Sequence, residues 1–151
     1  IAMAEKDQTQ DTGAKMIHLA PNTTSIIDSR SISINNGKAT YRGTSKITKD
    51  ATNSRASVKC DGLMLNDDSK SYAYPYNVIN NSTSQLEHEA TVSKVSQEQM
   101  EYLMARGLTE EEAVQMILAG YANPILDKLP IEYSVELERL IYLMTKHAQE
   151  K

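Results

Sequence analysis

From Met16 to about Val95 the chain alternates short apolar and polar positions; beyond Val95 the apolar positions move to helical spacing. In the first stretch, Ser25-Ile26-Ile27, Ser31-Ile32-Ser33-Ile34, Ala39-Thr40-Tyr41, Ser57-Val58-Lys59-Cys60, Leu63-Met64-Leu65 and Tyr74 to Ile79 predict strands. β-branched and aromatic side chains alternate there with polar ones, which suits a half-buried pleated surface. Asn35 to Lys38, Asn66 to Ser69 and Asn80 to Ser82 carry turn chemistry between them. Val58 and Cys60 share one face, whereas Leu63 and Leu65 share another, so the change of parity predicts a bend or bulge at Gly62.

Short strands with Asn-rich corners suit two architectures. One is an antiparallel sandwich, for which Asn36-Gly37 is a hairpin signal. The other is a parallel β-helix whose coils stack, with Asn, Gly and Ser at the corners. No repeat is regular enough to decide between them by pattern. The helical part begins at Ser96-Gln97-Glu98-Gln99, a capping box followed by Met100, Leu103 and Met104, with Gly107 as a stop. Thr109-Glu110-Glu111-Glu112 is a second capping box with an acidic first turn. Ala113, Val114, Ile117 and Leu118 predict its buried stripe, Gly120 its end, and Asn123-Pro124 a break. From Ile131 to about Ala148, Tyr133, Leu137, Leu140, Ile141 and Met144 recur at helical spacing. The expected division is therefore residues 1–95, mainly β, and residues 96–151, helical. Core is the default for the helical stripes, with some apolar surface around Ile117, Tyr121 and Ile125 left for a partner.

At 151 residues the chain is one domain, or one domain with an appendage. A net charge of -4 and the lack of a basic stripe argue against nucleic acid as a partner. A single cysteine excludes an internal disulfide framework and fits a reducing compartment. No apolar run reaches the ~18 residues of a membrane span, and no signal-peptide pattern opens the chain. The three matches to the glycosylation sequon, at Asn22, Asn80 and Asn81, therefore carry little meaning. The chain opens at Ile1 rather than Met, and a fragment with its upstream portion missing is expected. The six glycines are isolated, without a P-loop or dinucleotide fingerprint, so this chain is not expected to bind ATP or NAD by itself.

Candidate chemistry is concentrated in Gln85-Leu86-Glu87-His88-Glu89-Ala90 and in Cys60. His88-Glu89-Ala90-Thr91-Val92 begins like the zinc-protease motif, but Val92 stands where the second histidine must be. If extended, the segment sends Glu87 and Glu89 to one face and His88, with Leu86 and Ala90, to the other. Two like charges on one face repel unless a cation compensates them. Cys60 alone reads as a small buried hydrophobe. Its separation from Glu89 would nevertheless span about one to one-and-a-half coils of a β-helix and set the two on adjacent rungs. Thiolate with carboxylate favours iron or zinc over calcium. His18, between Ile17 and Leu19, reads as a satisfied structural histidine, and His147 as a complement to a helix dipole.

Several segments, in order and with matching spacing, resemble the C-terminal part of the SufB/SufD family of iron–sulfur cluster assembly proteins, and SufB more than SufD. They are QDTGAKMIHLAPNT from Gln10 to Thr23, Thr40-Tyr41-Arg42-Gly43, Ala51-Thr52-Asn53-Ser54-Arg55, Lys59-Cys60-Asp61 and Gln85 to Thr91. The helical stretch adds Arg106 to Ala113 and Leu129-Pro130-Ile131-Glu132-Tyr133. Where many SufB sequences carry a further cysteine and histidine, this chain has Ser69 and Tyr72.

The resemblance implies a mainly β chain with a C-terminal α-helical domain: a right-handed parallel β-helix followed by three or four short helices. It implies a non-enzymatic scaffold that receives sulfur and iron for a nascent, transient iron–sulfur cluster. The alternative is a SufD-like structural or interaction subunit with no cluster chemistry of its own. By resemblance, Cys60 matches the cysteine that accepts sulfur or ligates the cluster, Glu89 the glutamate that works with it, and Glu87 and His88 their neighbours; Cys60 and Glu89 are the implied metal positions. The implied partners are a SufC-like ATPase docked on the helices, a second copy or a SufB/SufD-like homologue along the β-helix, and sulfur-donor proteins. No membrane partner is implied, and the cytoplasm, or a plastid stroma, is the expected compartment.

Overall fold

The computed structural model describes residues 1–149 and, for the last three of these, the backbone alone, so the reading of His147 lies outside the described residues. Seven strands come first: β1 (Ala2–Ala4), β2 (Thr9–His18), β3 (Thr24–Ser33), β4 (Lys38–Ile47), β5 (Arg55–Met64), β6 (Lys70–Ile79) and β7 (Gln85–Lys94). Three helices follow: α1 (Gln97–Met104), α2 (Glu110–Leu126) and α3 (Ile131–Gln149). The chain divides into two compact units, Ile1–Ser93 and a second that starts at Lys94.

Successive strands alternate between two sheets, ordered β1-β3-β5-β7 and β2-β4-β6. The β1–β3, β2–β4, β3–β5 and β4–β6 pairs are all parallel. Strands in one sheet are thus joined only through the other, and the chain winds as a parallel β-helix. Register sets the length of a turn: Thr9 lies beside Lys38, and Lys38 beside Lys70. Asn36-Gly37 is not a hairpin but the corner from β3 to β4, because parallel neighbours cannot be joined by a tight turn. Asn35 and Asn36 take the left-handed conformation there, with φ of 49° and 62°. The Asn35 N–H donates to Oδ1 of Asn66, one turn further on, at 2.9 Å.

Strands that read as separate in the sequence are continuous in the structure. Ser25–Ile27 and Ser31–Ser33 belong to β3, whose polar centre survives because Asp28 and Arg30 project outward and pair at 3.5 Å. Gly62 is neither a bend nor a bulge, since β3 and β5 stay in one-to-one register through it. Its cause is inside the coil: a Cβ at Gly62 would lie 2.2 Å from Ser71 Oγ. Leu63 is buried on the opposite face from Cys60, in a row with Ile32 and Met3 on the neighbouring strands.

The interior is narrow and filled with small residues. Tyr41, Val58 and Cys60 form one buried cluster, with Ile27 and Ala73 against it; Ile47, Ala51 and Ala56 form another, with Leu86 against it. Each fully buried large aliphatic side chain such as Ile47 contributes roughly 1.5–3 kcal/mol. Corners are tied by hydroxyls: the Thr23 N–H donates to Ser54 Oγ (3.2 Å) and the Ser54 N–H to Ser84 Oγ (2.9 Å). His18 is buried, with Nδ1 2.6 Å from Thr23 Oγ1 and Nε2 2.7 Å from Ser25 Oγ. Both ring nitrogens are satisfied.

In the second unit both capping boxes form, on Ser96 with Gln99 and on Thr109 with Glu112. Gly107, at φ 96°, follows α1 as expected. However, α2 does not end at Gly120 or break at Asn123-Pro124. Buried Val114, Leu118, Ala122 and Leu126 recur every fourth residue straight past both, and this packing overrides the local breakers. Pro124 forfeits the bond to the carbonyl of Gly120, four residues back. Ile117, Tyr121 and Ile125 are half-buried, and the more exposed apolar side chains include Tyr102, Met116, Ile131, Tyr133 and Val135. No helix among the described residues is long and apolar enough to cross a membrane.

Candidate functional site

β5 carries Cys60 and β7 carries Glu87, His88 and Glu89, and the two strands are neighbours at the end of their sheet. The Gln85 N–H donates to the Ser54 carbonyl (3.0 Å), just as the Arg55 N–H donates to that of Thr23 (2.9 Å) one turn earlier. One turn of the coil therefore delivers the acidic segment beside the cysteine strand. Strand alternation then separates their side chains. Ala56, Val58 and Cys60 point inward and are buried, while Arg55, Ser57, Lys59 and Asp61 take the other face. Glu87 lies 3.3 Å from Arg55 and Glu89 lies 3.6 Å from Lys59, which puts both carboxylates outside. The cations that Glu87 and Glu89 need come from the adjacent strand.

Glu89 ends a line of alternating charge. Arg30 reaches Asp28 at 3.5 Å and Asp61 at 3.6 Å, and Lys59 stands between Asp61 (3.9 Å) and Glu89. His88 is half-buried on the side of Leu86, and its Nε2 is buried without a hydrogen-bond partner. The structure thus sets Cys60 and His88 on the inward face of adjacent strands and Glu87 and Glu89 on the outward face. Among the described residues, no three of His, Cys, Asp or Glu gather in a group that could hold a metal ion.

Inside the coil Cys60 meets Tyr41, which comes from the opposite sheet. Burial pushes the Cys60 thiol up to about 11; the charges of Asp61 and Asp28 add to this, and the hydrogen bond with Tyr41 opposes it. Tyr41 is pushed up to about 12, by burial first and then by Cys60. A thiol is a weak donor and acceptor, so the buried Tyr41 hydroxyl has no full-strength hydrogen-bond partner. Both groups border a pocket of about 10 Å³, shared with Ser29, Ser31 and Ser71. That is room for about one water molecule. At neutral pH the resting cysteine is a thiol rather than the nucleophilic or metal-binding thiolate.

Residues 1–121 match the family model described as SUF system FeS cluster assembly, SufBD core domain. The chain belongs to the SufB/SufD family. It is 54% identical over 141 residues to the iron-sulfur cluster assembly protein SufB of Bacillus subtilis, covering 93% of this chain and 30% of that protein. It is 51% identical over 148 residues to an iron-sulfur cluster assembly SufBD family protein of Mycobacterium tuberculosis strain H37Rv, covering 98% of this chain and 18% of that one. A SufBD family protein of Staphylococcus aureus is 53% identical over 141 residues, again 93% of this chain and 30% of the relative. The chain thus spans less than a third of these relatives' length.

Within this SufB/SufD chain, the residue that sequence reasoning passed over is Tyr41. The sequence places it in a strand and in the segment Thr40-Tyr41-Arg42-Gly43 without a role of its own, yet it packs against Cys60 in the core. The signal was Gly43, two positions on and therefore on the same face. A Cβ there would lie 2.7 Å from Tyr41 Cε1 and 2.9 Å from its hydroxyl, so the glycine is what lets the ring lie along the strand. In the helical unit, α2 and α3 enclose a pocket of about 400 Å³ walled by Leu108, Met116, Leu126, Ile141 and Tyr142.

Proposed function

We propose that this chain is the C-terminal part of a scaffold subunit, SufB-like in role, on which sulfur and iron combine into a nascent iron–sulfur cluster. The cluster is cargo, and the chain supplies positions for it rather than catalysing a turnover of its own. The observation that carries this reading is that Cys60 and Glu89 stand on the adjacent strands β5 and β7, one turn apart. In it Cys60 is the sulfur acceptor, Glu89 the carboxylate that positions iron or moves a proton, and Glu87 and His88 their supports. Because the two key side chains leave opposite faces, the scaffold must open at the β7 edge before both can reach one cluster.

Features of the surface support the partners of this reading. β6 and β7 are the last strands of their sheets, and unpaired strand edges favour pairing with a second copy or a SufB/SufD homologue. Exposed Ile131, Val135 and Tyr142 on α3 suit the docking of a SufC-like ATPase, whose cycle would shift the scaffold between closed and open states. A desulfurase-loaded carrier would deliver sulfur, in the cytoplasm. The test is to replace Cys60→Ser and Glu89→Gln separately in the intact protein and reconstitute clusters with the ATPase, iron and a sulfur donor. Loss of assembly in both variants is expected. Survival of assembly in both would leave only an interaction role.

A further inference from the structure

The pocket beside Cys60 has one polar wall group that nothing in the fold requires. Tyr41 is 6% exposed, and its hydroxyl is buried without a conventional partner, a state that costs about 1–3 kcal/mol unless something offsets it. A phenylalanine would fill the same apolar cluster without that cost. Gly43 gives the ring its position, and Gly62 keeps the far side open for Ser71 Oγ, which in turn lies 3.2 Å from Ser31 Oγ. The space left, about 10 Å³, holds one atom of the second or third period and not a cluster. The Cys60 sulfur and the hydroxyls of Tyr41, Ser31 and Ser71 are among its walls, with Ala73 and Val92 as apolar ones.

We infer that Tyr41 is a positioning residue for sulfur carried on Cys60: its hydroxyl donates to a single sulfur atom added to Cys60 Sγ and holds it inside the coil. This rests on the reading of Cys60 as a sulfur acceptor. In the transfer, Cys60 Sγ attacks the outer sulfur of a donor persulfide. A new S–S bond forms on Cys60, the donor's S–S bond breaks, and the Cys60 proton leaves with the donor thiol. A persulfide and a thiol are exchanged for a thiol and a persulfide, with no net oxidation. The added sulfur takes the pocket, accepts from Tyr41, and lies within the reach of Ser71 and Ser31. The interior then shields it from reductants until the scaffold opens, and a pocket of this size limits the load to one sulfur.

The test is to load the intact protein anaerobically with glutathione persulfide, assign the sulfane sulfur to the Cys60 peptide by mass spectrometry, and follow its loss to dithiothreitol. Tyr41→Phe should lose the sulfur at least about tenfold faster, the worth of one hydrogen bond to an anionic sulfur. Its thermal midpoint should not fall and its iodoacetamide labelling of unloaded Cys60 should not speed up, whereas a structural role of the hydroxyl would lower the one or raise the other. Ser71→Ala should show a smaller acceleration in the same direction. Equal lifetimes in wild type and Tyr41→Phe, or more than one sulfur held on Cys60, would overturn the inference. Failure of the underlying reading has a different signature: cluster assembly that persists in Cys60→Ser, whatever the lifetimes.

Discussion

Lys59 pairs with Glu89 on the outer face of the sheet, its Nζ 3.6 Å from the carboxylate, while the next residue, Cys60, points into the coil. The two residues with the most chemistry are therefore separated by the thickness of a strand. Lys59 restrains Glu89 only weakly, since both side chains are largely exposed, at 43% and 66%. Exposed pairs of this kind are worth about 0–1 kcal/mol.

Lys59→Met should accordingly shift the unfolding free energy by less than about 1 kcal/mol, and added salt should erase most of the shift. Urea unfolding at low and high ionic strength measures it. A loss above about 2 kcal/mol would mean that the charge line from Asp28 to Glu89 is a structural element and not a surface from which Glu89 can be released.

The Cys60–Tyr41 pair makes the β-helix sensitive to alkali. Both groups have folded pKa values raised above their ordinary ones, from 9.0 to about 11 for Cys60 and from 10.0 to about 12 for Tyr41. Their contribution is complete below the unfolded values and is lost as pH rises through the folded ones, because the unfolded chain ionises first. Stability should fall between about pH 9 and about pH 12, by on the order of 3 kcal/mol for each group. Tyr41→Phe should flatten the upper part of that fall. Chemical denaturation across the range checks this, and an unchanged slope in the variant would place the alkaline loss elsewhere.

Two glycines should respond oppositely to alanine. A Cβ at Gly13 would lie 2.1 Å from the Arg42 carbonyl oxygen, which is backbone in the paired strand and cannot swing away. At Gly120, inside α2, a Cβ meets nothing within 4 Å. Gly13→Ala should therefore destabilise by about 1–3 kcal/mol, typical of overpacking. Gly120→Ala should stabilise by about 0.5–1 kcal/mol. Thermal melts of the two variants decide it. A neutral Gly13→Ala would mean that β2 can move away from β4.

Much of this could be read from the chain, for identifiable reasons. Alternation at Ser57-Val58-Lys59-Cys60 and the turn residues at Asn35-Asn36 identified strands and corners, because those signals are local. What alternation could not settle was pairing, since Asn36-Gly37 suits a hairpin as well as a corner until a second coil is present to accept from Asn35. The β-helix was accordingly reached by resemblance, and the structure shows it through register. Gly120 and Pro124 misled because breaker propensity is local, while the stripe Val114, Leu118, Ala122 and Leu126 was already in the sequence at intervals of four. For the site, alternation correctly put Glu87 and Glu89 on one face and His88 on the other. The opposition of Cys60 to Glu89 needed the register between β5 and β7, and Tyr41 needed the coil to close, because no sequence spacing relates it to Cys60.

The Thr109 cap offers a separate lever on the helical unit. Thr109 Oγ1 accepts from the Glu112 N–H at 3.2 Å, and the Glu112 carboxylate accepts in return from the Thr109 N–H at 2.8 Å and its hydroxyl at 3.0 Å. These bonds, backbone first, lower the Glu112 pKa below its ordinary 4.5. A depressed carboxylate contributes stability above its unfolded pKa and loses it as pH falls through the folded value. Thr109→Ala should cost about 1 kcal/mol of stability at neutral pH, the usual worth of an N-cap. The same substitution should cost less in acid, once pH falls through the lowered folded pKa of Glu112 and its half of the box is weakened. Helical circular dichroism during unfolding at both pH values reads the difference. An equal cost at both would show that Glu112 contributes nothing through the cap and that the cap does not lower its pKa.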